Sequence, residues 1–443
     1  MEKIKKPRAV ANRNRLGKTI KSGETTMKKC FAPLWILLCA GLLTILVRPG
    51  RADDWPGFRG PNRDGICRER GLLKEWPKDG PLLAWKTTGL GEGFSTVAVV
   101  GNVIYTQGHK DDKQWVVALD AGKEGKLIWR ADFGQVRNKG AGHPGSRATP
   151  TIDGDRLYTT GIAGELVCMD RKDGRIIWQK DFVNDFGGKI PQWGYAESPL
   201  IDGPWVICTP GGEKNTIVAL DKTNGEKIWG AAVGDTAGYA SVIKATIDGV
   251  AQYINLTAKG VISVRAKDGK FLWRYDAPAS KVSNISNCIV SGNSVFAASG
   301  YGCGGGRVDI KRTGDEFKSK EVFFSKKMQN HHGGMILSGG MIYGCNNPKD
   351  LTCLDFNTGE VKWTDKTSGK CSLLYADGML YCRDENGPIS LVEASPEGFK
   401  LKGRFAQPER SELNSWPYLV IVNGMLYVRD QDLLLCYDVR EKK

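Results

Sequence analysis

The chain is short of catalytic signatures. It has no GxSxG nucleophile elbow, no HExxH zinc helix and no phosphate-binding P-loop, so three common enzyme frameworks find no foothold in it. Its twelve cysteines include no CxxC, CxxCH or zinc-knuckle spacing, which excludes a dithiol redox motif, a c-type haem attachment and a structural zinc site of those kinds. Histidine is rarer, with four in the chain, and three of those fall in one set of loops described below. A Gly-x-Gly occurs within residues 300–306, but it lies between strand-like stretches with no helix after it and cannot open a dinucleotide fold. The one long apolar run covers residues 30–47.

A net charge of +14 invites a nucleic-acid reading, and its distribution argues against one. Residues 1–52 hold twelve Lys and Arg against two Glu, so ten of the fourteen charges belong to the leader and the body carries about four. No nucleic-acid partner is expected for the body. Residues 1–26 read as an upstream extension and residues 27–52 as a secretory signal. Met27-Lys28-Lys29 is its basic start, residues 30–47 are its apolar centre, and Gly50-Arg51-Ala52 is a small-x-small cleavage site. Cleavage after Ala52 implies an exported protein, periplasmic or secreted. Left uncleaved, the apolar run is just long enough to span a bilayer, and the leader would be the membrane contact. Ten cysteines follow Ala52, in a compartment that permits oxidation. Cys168, Cys353 and Cys436 occupy matching apolar positions and read as small hydrophobes, while Cys345 and Cys353 flank a short turn across which they could pair.

What the chain has in abundance is a repeated phrase ending in tryptophan. Ala118-Leu119-Asp120 leads to Trp129, Met169-Asp170 through Gly174 to Trp178, and Ala219-Leu220-Asp221 through Gly225 to Trp229. Lys267-Asp268-Gly269 leads to Trp273, and Leu354-Asp355 through Gly359 to Trp363. The tryptophans stand 49, 51, 44 and 90 residues apart, the last being two periods with a degenerate copy between. A period near 45 marks a propeller or solenoid, because one such unit cannot bury its own apolar face. A length prior of about three domains therefore gives way to a single array. Eight turn pairs punctuate it: Gly101-Asn102, Asp153-Gly154, Asp202-Gly203, Asp248-Gly249, Gly292-Asn293, Gly339-Gly340, Asp377-Gly378 and Asn423-Gly424. Such pairs accept the positive φ of two-residue hairpins.

Each unit thus reads as a hairpin, a third strand, an Asp-x-x-x-Gly turn and a Trp-bearing fourth strand, which is the blade of an all-β propeller. The Asp is expected to accept backbone N–H bonds in the turn, and the Trp to lie against the adjacent blade. Docking tryptophans are Trp85, Trp129, Trp178, Trp229, Trp273 and Trp363, with degenerate copies near Phe323 and Phe405. Pro81-Leu82-Leu83-Ala84-Trp85 is a fourth strand without three before it, and Leu433-Leu434-Leu435-Cys436-Tyr437-Asp438 a third strand without a fourth after it. Together they predict one shared blade closing an eight-bladed ring over residues 81–443.

The phrase Ala-Leu-Asp-x-x-x-Gly-x-x-x-Trp resembles the tryptophan-docking motif of the pyrroloquinoline quinone (PQQ) propeller family, across about residues 81–438. That family includes quinoprotein alcohol dehydrogenases and the non-catalytic propeller subunit of the outer-membrane β-barrel assembly machinery. Asp54-Trp55-Pro56-Gly57-Phe58-Arg59-Gly60-Pro61 resembles the lead-in before such propellers, which makes residues 53–80 a cap segment. The dehydrogenase branch implies PQQ with Ca²⁺, needing a carboxylate base, a hard cation on oxygen ligands and clamps for three carboxylates. The chain departs from that branch: it has no adjacent cysteine pair, its repeats lack long insertions, and no catalytic Asp matches. The resemblance therefore implies a non-catalytic envelope scaffold, monomeric or a subunit of a complex, binding an envelope protein or an extended peptide. A quinone-dependent oxidoreductase and a carbohydrate-binding propeller are the alternatives.

In a propeller, the loops from one fourth strand to the next first strand reach the channel mouth. Here they supply His143, Arg147, Trp193, Tyr195, Glu197, Tyr239, Ser241, Asn284, His331, His332 and Trp416, with Thr96, Lys370 and Asn414 in the same loops. Polar and aromatic groups converging on one concavity are the expected ligand site. His331 and His332 are neighbours, so on an extended strand they point to opposite faces and do not share a metal. Arg147 and Glu197 are candidates for an ion pair between blades, and Trp193 for stacking on a flat ring.

Overall fold

The structure, a computed structural model, describes residues 54–136, 143 and 145–442. The leader, with its extension and its cleavage site after Ala52, lies outside the described residues.

Eight antiparallel sheets follow one another around a ring. Their first strands are Ala98–Val100, Thr151–Asp153, Leu200–Asp202, Ile243–Ile247, Ile289–Ser291, Asn330–Ser338, Cys371–Ala376 and Val420–Val422, which number blades 1 to 8. Seven blades take their fourth strand from their own repeat. Blade 8 takes Leu82–Thr87 from the N-terminal side, paired antiparallel with Leu433–Asp438, so the fragments at the two ends of the array do close the ring. Arg429 seals that joint, its buried guanidinium donating to the carbonyls of Gly91 and Ser95 at the approach to blade 1. Closure pairs Leu433–Asp438, the third strand of blade 8, which would otherwise be left as a free edge open to aggregation.

The hairpins form at the expected places with one refinement. Four pairs, Asp248-Gly249, Gly339-Gly340, Asp377-Gly378 and Asn423-Gly424, have positive φ at both residues, as type I′ requires. Gly101 and Gly292 have it only at the first residue, the II′ pattern. In blades 2 and 3 the turn sits one residue later, at Gly154-Asp155 and Gly203-Pro204, because II′ needs the glycine first.

Hydrophobic clusters lie between successive blades rather than in one central mass. The Asp-x-x-x-Gly turn is the hinge of each joint. Asp221 Oδ1 accepts from Thr223 N at 2.7 Å and Asp355 Oδ1 from Asn357 N at 2.8 Å. The turn glycine lies under the aromatic ring of the preceding blade: Gly174 under Trp129, Gly225 under Trp178 and Gly269 under Trp229. A Cβ on Gly225 would lie 2.8 Å from the Trp178 ring, so this position needs glycine both for its φ of 76° and for the contact. Trp129, Trp178 and Trp363 donate Nε1–H to carbonyls of the next blade, those of Arg171, Lys222 and Ser395.

Phe323 occupies the docking position of blade 5, over Gly359. Blade 7 differs from expectation. The residue at the docking register is Gly403, opposite Leu391 just before the bulge, and Phe405 lies two places on. Trp76, from the segment before the ring, fills the gap, packing over Gly403 with its ring 5.3 Å from Phe405 and 5.7 Å from Tyr381.

The rest of that segment touches distant blades. Trp55 bridges to Val99 of blade 1, and the Arg63 guanidinium donates to carbonyls of Ser198, Pro199 and Val242 at the starts of blades 3 and 4. Ile66–Cys67 adds a parallel fifth strand to blade 7. All ten cysteines of the described residues are free thiols, and Cys345 and Cys353 do not pair. The ladder sets Cys345 opposite Leu351 and Cys353 opposite Tyr343, and Cys345 Sγ donates to Gly369 O.

Candidate functional site

At the mouth of the ring the fourth-to-first-strand loops enclose a cavity of about 260 Å³. Of the residues expected there, His143, Arg147, Trp193, Tyr239, His331, His332 and Trp416 line it, as do Thr96, Lys370 and Asn414.

Tyr195, Glu197, Ser241 and Asn284 do not. They lie behind the wall, engaged in holding it. Tyr195 donates its hydroxyl to Pro210 O and packs edge-on against Phe182. Ser241 Oγ accepts from Ser198 N, and Asn284 bonds Ser280, Ser299, Thr257 and Ala258. Glu197 accepts from Thr209 N and Val242 N, and the charge of Arg63 acts on it. Burial pushes its carboxyl up to about 7 against those hydrogen bonds. No Arg147–Glu197 ion pair forms; Arg147 donates to the carbonyls of Gly145 and His143 at 2.7 and 2.5 Å.

Aromatic rings make most of the wall. Trp416 stands at its centre, 4.8 Å from Phe94, 4.8 Å from His143 and 5.7 Å from His332. Trp193 and Tyr239 face each other at 5.7 Å on another side, and Phe58 meets Tyr418 at 5.3 Å. Phe58, Phe94, Tyr301 and Tyr418 line the cavity beyond the residues expected from the sequence. Phe94 and Tyr418 sit in the fourth-to-first-strand loops, where their aromatic side chains are the sequence signal that marks them. Phe58 arrives from the lead-in and Tyr301 from the hairpin between the second and third strands of blade 5, which the rule of fourth-to-first-strand loops does not cover.

His331 and His332 meet each other, contrary to the alternation expected of an extended strand. Their Nδ1 atoms lie 3.1 Å apart with rings at 88°. The cause is a break in the ladder of blade 6: pairing jumps from Asn330–Asn346 to Met335–Gly344, and the bulge gathers both rings on one side. His331 Nε2 contacts Tyr301 Oη at 2.9 Å, while buried His332 Nε2 has no partner among the described residues. Burial pushes His331 down to about 3 and His332 down as well, so both are neutral imidazoles near pH 7.

Among the described residues two cations line the cavity and no carboxylate does. Lys370 is matched by Glu385 at 3.3 Å, and Glu385 also takes the Trp416 Nε1–H. Arg147 has no acidic partner among the described residues, and no residue in 137–144 is acidic. Burial pushes its guanidinium down to about 10, still charged at neutral pH. This donor set does not fit PQQ with Ca²⁺. A hard cation wants anionic oxygen ligands and the chemistry a carboxylate base, yet the oxygens of the described lining are neutral hydroxyls and amides, and three carboxylates would face one unmatched cation.

Residues 112–365, over half of the chain, match the family model described as outer membrane protein assembly factor BamB. The chain belongs to that family. The BamB of Shewanella oneidensis is 22% identical over 63% of this chain and 70% of its own length. Among solved structures, BamB from Moraxella catarrhalis superposes with a TM-score of 0.58 at 15% identity, covering 82% of this chain and 98% of that one. The quinohemoprotein alcohol dehydrogenase of Comamonas testosteroni superposes with a TM-score of 0.64 at 13% identity, covering 88% and 81%. At such identities both likenesses concern the fold, so the choice between the BamB branch and the enzyme branch rests on the family match and on the mouth.

Proposed function

We propose that this BamB-family propeller is an exported, non-catalytic scaffold of the cell envelope, acting as a subunit of an assembly that handles outer-membrane proteins. The observation that carries the reading is a mouth whose described residues include no carboxylate, in a ring of that family: it offers surfaces for binding and no carboxylate base for oxidation. Every blade also ends in a fourth strand with no further strand beyond it, and several carry exposed apolar side chains, among them Leu82, Leu127, Ile128, Ile228 and Phe271. An extended partner segment adds to such an edge through main-chain hydrogen bonds. The lead-in serves as a cap, because its contacts tie blades 1, 3, 4 and 7 together.

The test is deletion of the gene in its host, with measurement of folded outer-membrane protein. A fall restored by the intact chain supports the scaffold; unchanged amounts refute it. Dye-linked alcohol oxidation by purified protein supplied with PQQ and Ca²⁺ would overturn the non-catalytic half.

A further inference from the structure

The mouth cavity has a composition more specific than a general partner surface. We infer that it is a binding site for a small monocarboxylate bearing one flat apolar ring. The inference stands whether or not the ring is an assembly scaffold.

Charge fixes the sign and number. Among the described residues the lining holds Arg147 and Lys370 and no acidic side chain; Glu385 lies behind Lys370 at 3.3 Å, and one positive charge is left without a counter-ion there. The histidines add none, being held neutral by burial. A partly buried guanidinium whose bonds go only to the backbone carbonyls of Gly145 and His143 retains strong attraction for an anion, because the low-dielectric wall screens it little. One unmatched cation takes one carboxylate. A dianion would bring an unpaired charge into an apolar wall, which is costly.

The wall fixes the body of the ligand. Trp416, Phe94, Trp193 and Tyr239 present ring faces and edges, and about 260 Å³ admits one ring with a short arm. His332 also lines the cavity. Its Nε2 is buried without a partner among the described residues while its Nδ1 is engaged by His331, which in turn contacts Tyr301. If His331 donates through Nδ1, His332 carries its proton on Nε2 and offers a donor. If His331 donates to Tyr301, His332 Nε2 offers a lone pair.

Phenylacetate is the probe, with phenylacetamide, phenethylamine and acetate as controls, titrated into the full-length protein by calorimetry. Phenylacetate is expected to bind one to one, with each control at least roughly tenfold weaker, the loss of one charged hydrogen bond or of the ring contacts. Arg147→Gln should weaken phenylacetate about tenfold and leave phenylacetamide unchanged, with Arg147→Lys recovering part of the loss. Should Arg147→Gln fail to fold, the wild-type protein decides: phenylacetate must shift the indole N–H resonances of Trp193 and Trp416 and leave that of Trp178 in place. Equal binding of acid and amide, no saturable binding, or shifts at Trp178 alone would overturn the inference.

Discussion

Trp76→Ala should damage the ring more than its position outside the repeats suggests. The indole is 7% exposed, lies over Gly403 where blade 7 lacks its own docking ring, and touches Phe405 and Tyr381. An indole buries about 150–250 Å², worth roughly 4–6 kcal/mol at about 25 cal/mol per Å² as an upper bound. Aromatic-to-alanine changes in cores cost about 3–5 kcal/mol, so a loss of about 3 kcal/mol is expected. Trp76→Phe keeps a ring against Phe405 and should recover about half of it. Urea unfolding followed by circular dichroism measures the loss without relying on indole fluorescence. Because a ring of repeats can open locally, amide exchange supplies the location: protection should fall first in Leu401–Phe405 and in Leu82–Thr87. A loss below about 1 kcal/mol, with Trp178→Ala costing its full share, would refute the idea that Trp76 substitutes for a docking tryptophan.

Gly225→Ala should cost about 2–4 kcal/mol, combining a left-handed backbone with a Cβ forced against Trp178, whereas Gly314→Ala, at φ 62° with nothing within 4 Å, should cost only the backbone part of about 1–2 kcal/mol. Equal losses in urea titrations of the two would remove the ring contact from the account. Glu197 keeps its proton in the folded chain up to about pH 7 while the unfolded carboxyl loses it near 4.5, so folding takes up a proton in that window and stability falls as pH rises through it, by about 3 kcal/mol at most. Glu197→Gln should flatten this slope in urea midpoints taken from about pH 5 to 8; a slope left unchanged would show that Glu197 titrates normally. The histidines act with the opposite sign. The unfolded imidazoles gain protons below about 6.5 while His331 and His332 stay neutral, so their contribution is lost as pH falls toward about 3, and the His331→Gln/His332→Gln double variant should flatten the acid limb of the same titration.

The sequence by itself determined the blade and the ring. Turn pairs, strand alternation and the Asp-x-x-x-Gly-x-x-x-Trp phrase act over a few residues, through φ preferences, side-chain-to-backbone bonds and ring size. They therefore announce eight hairpins and even the donation of Leu82–Thr87 to the last blade. Only the tertiary structure decided what meets at the mouth. Glu197 and Asn284 share loops with residues that line the cavity, yet they face inward, because which side of a loop faces the axis depends on contacts with neighbouring blades. His331 and His332 converge because of one bulge, and Tyr301 and Phe58 come from elements that no loop rule covers. Trp76 reaches Gly403 across more than three hundred residues of chain, a distance that ring closure alone makes short.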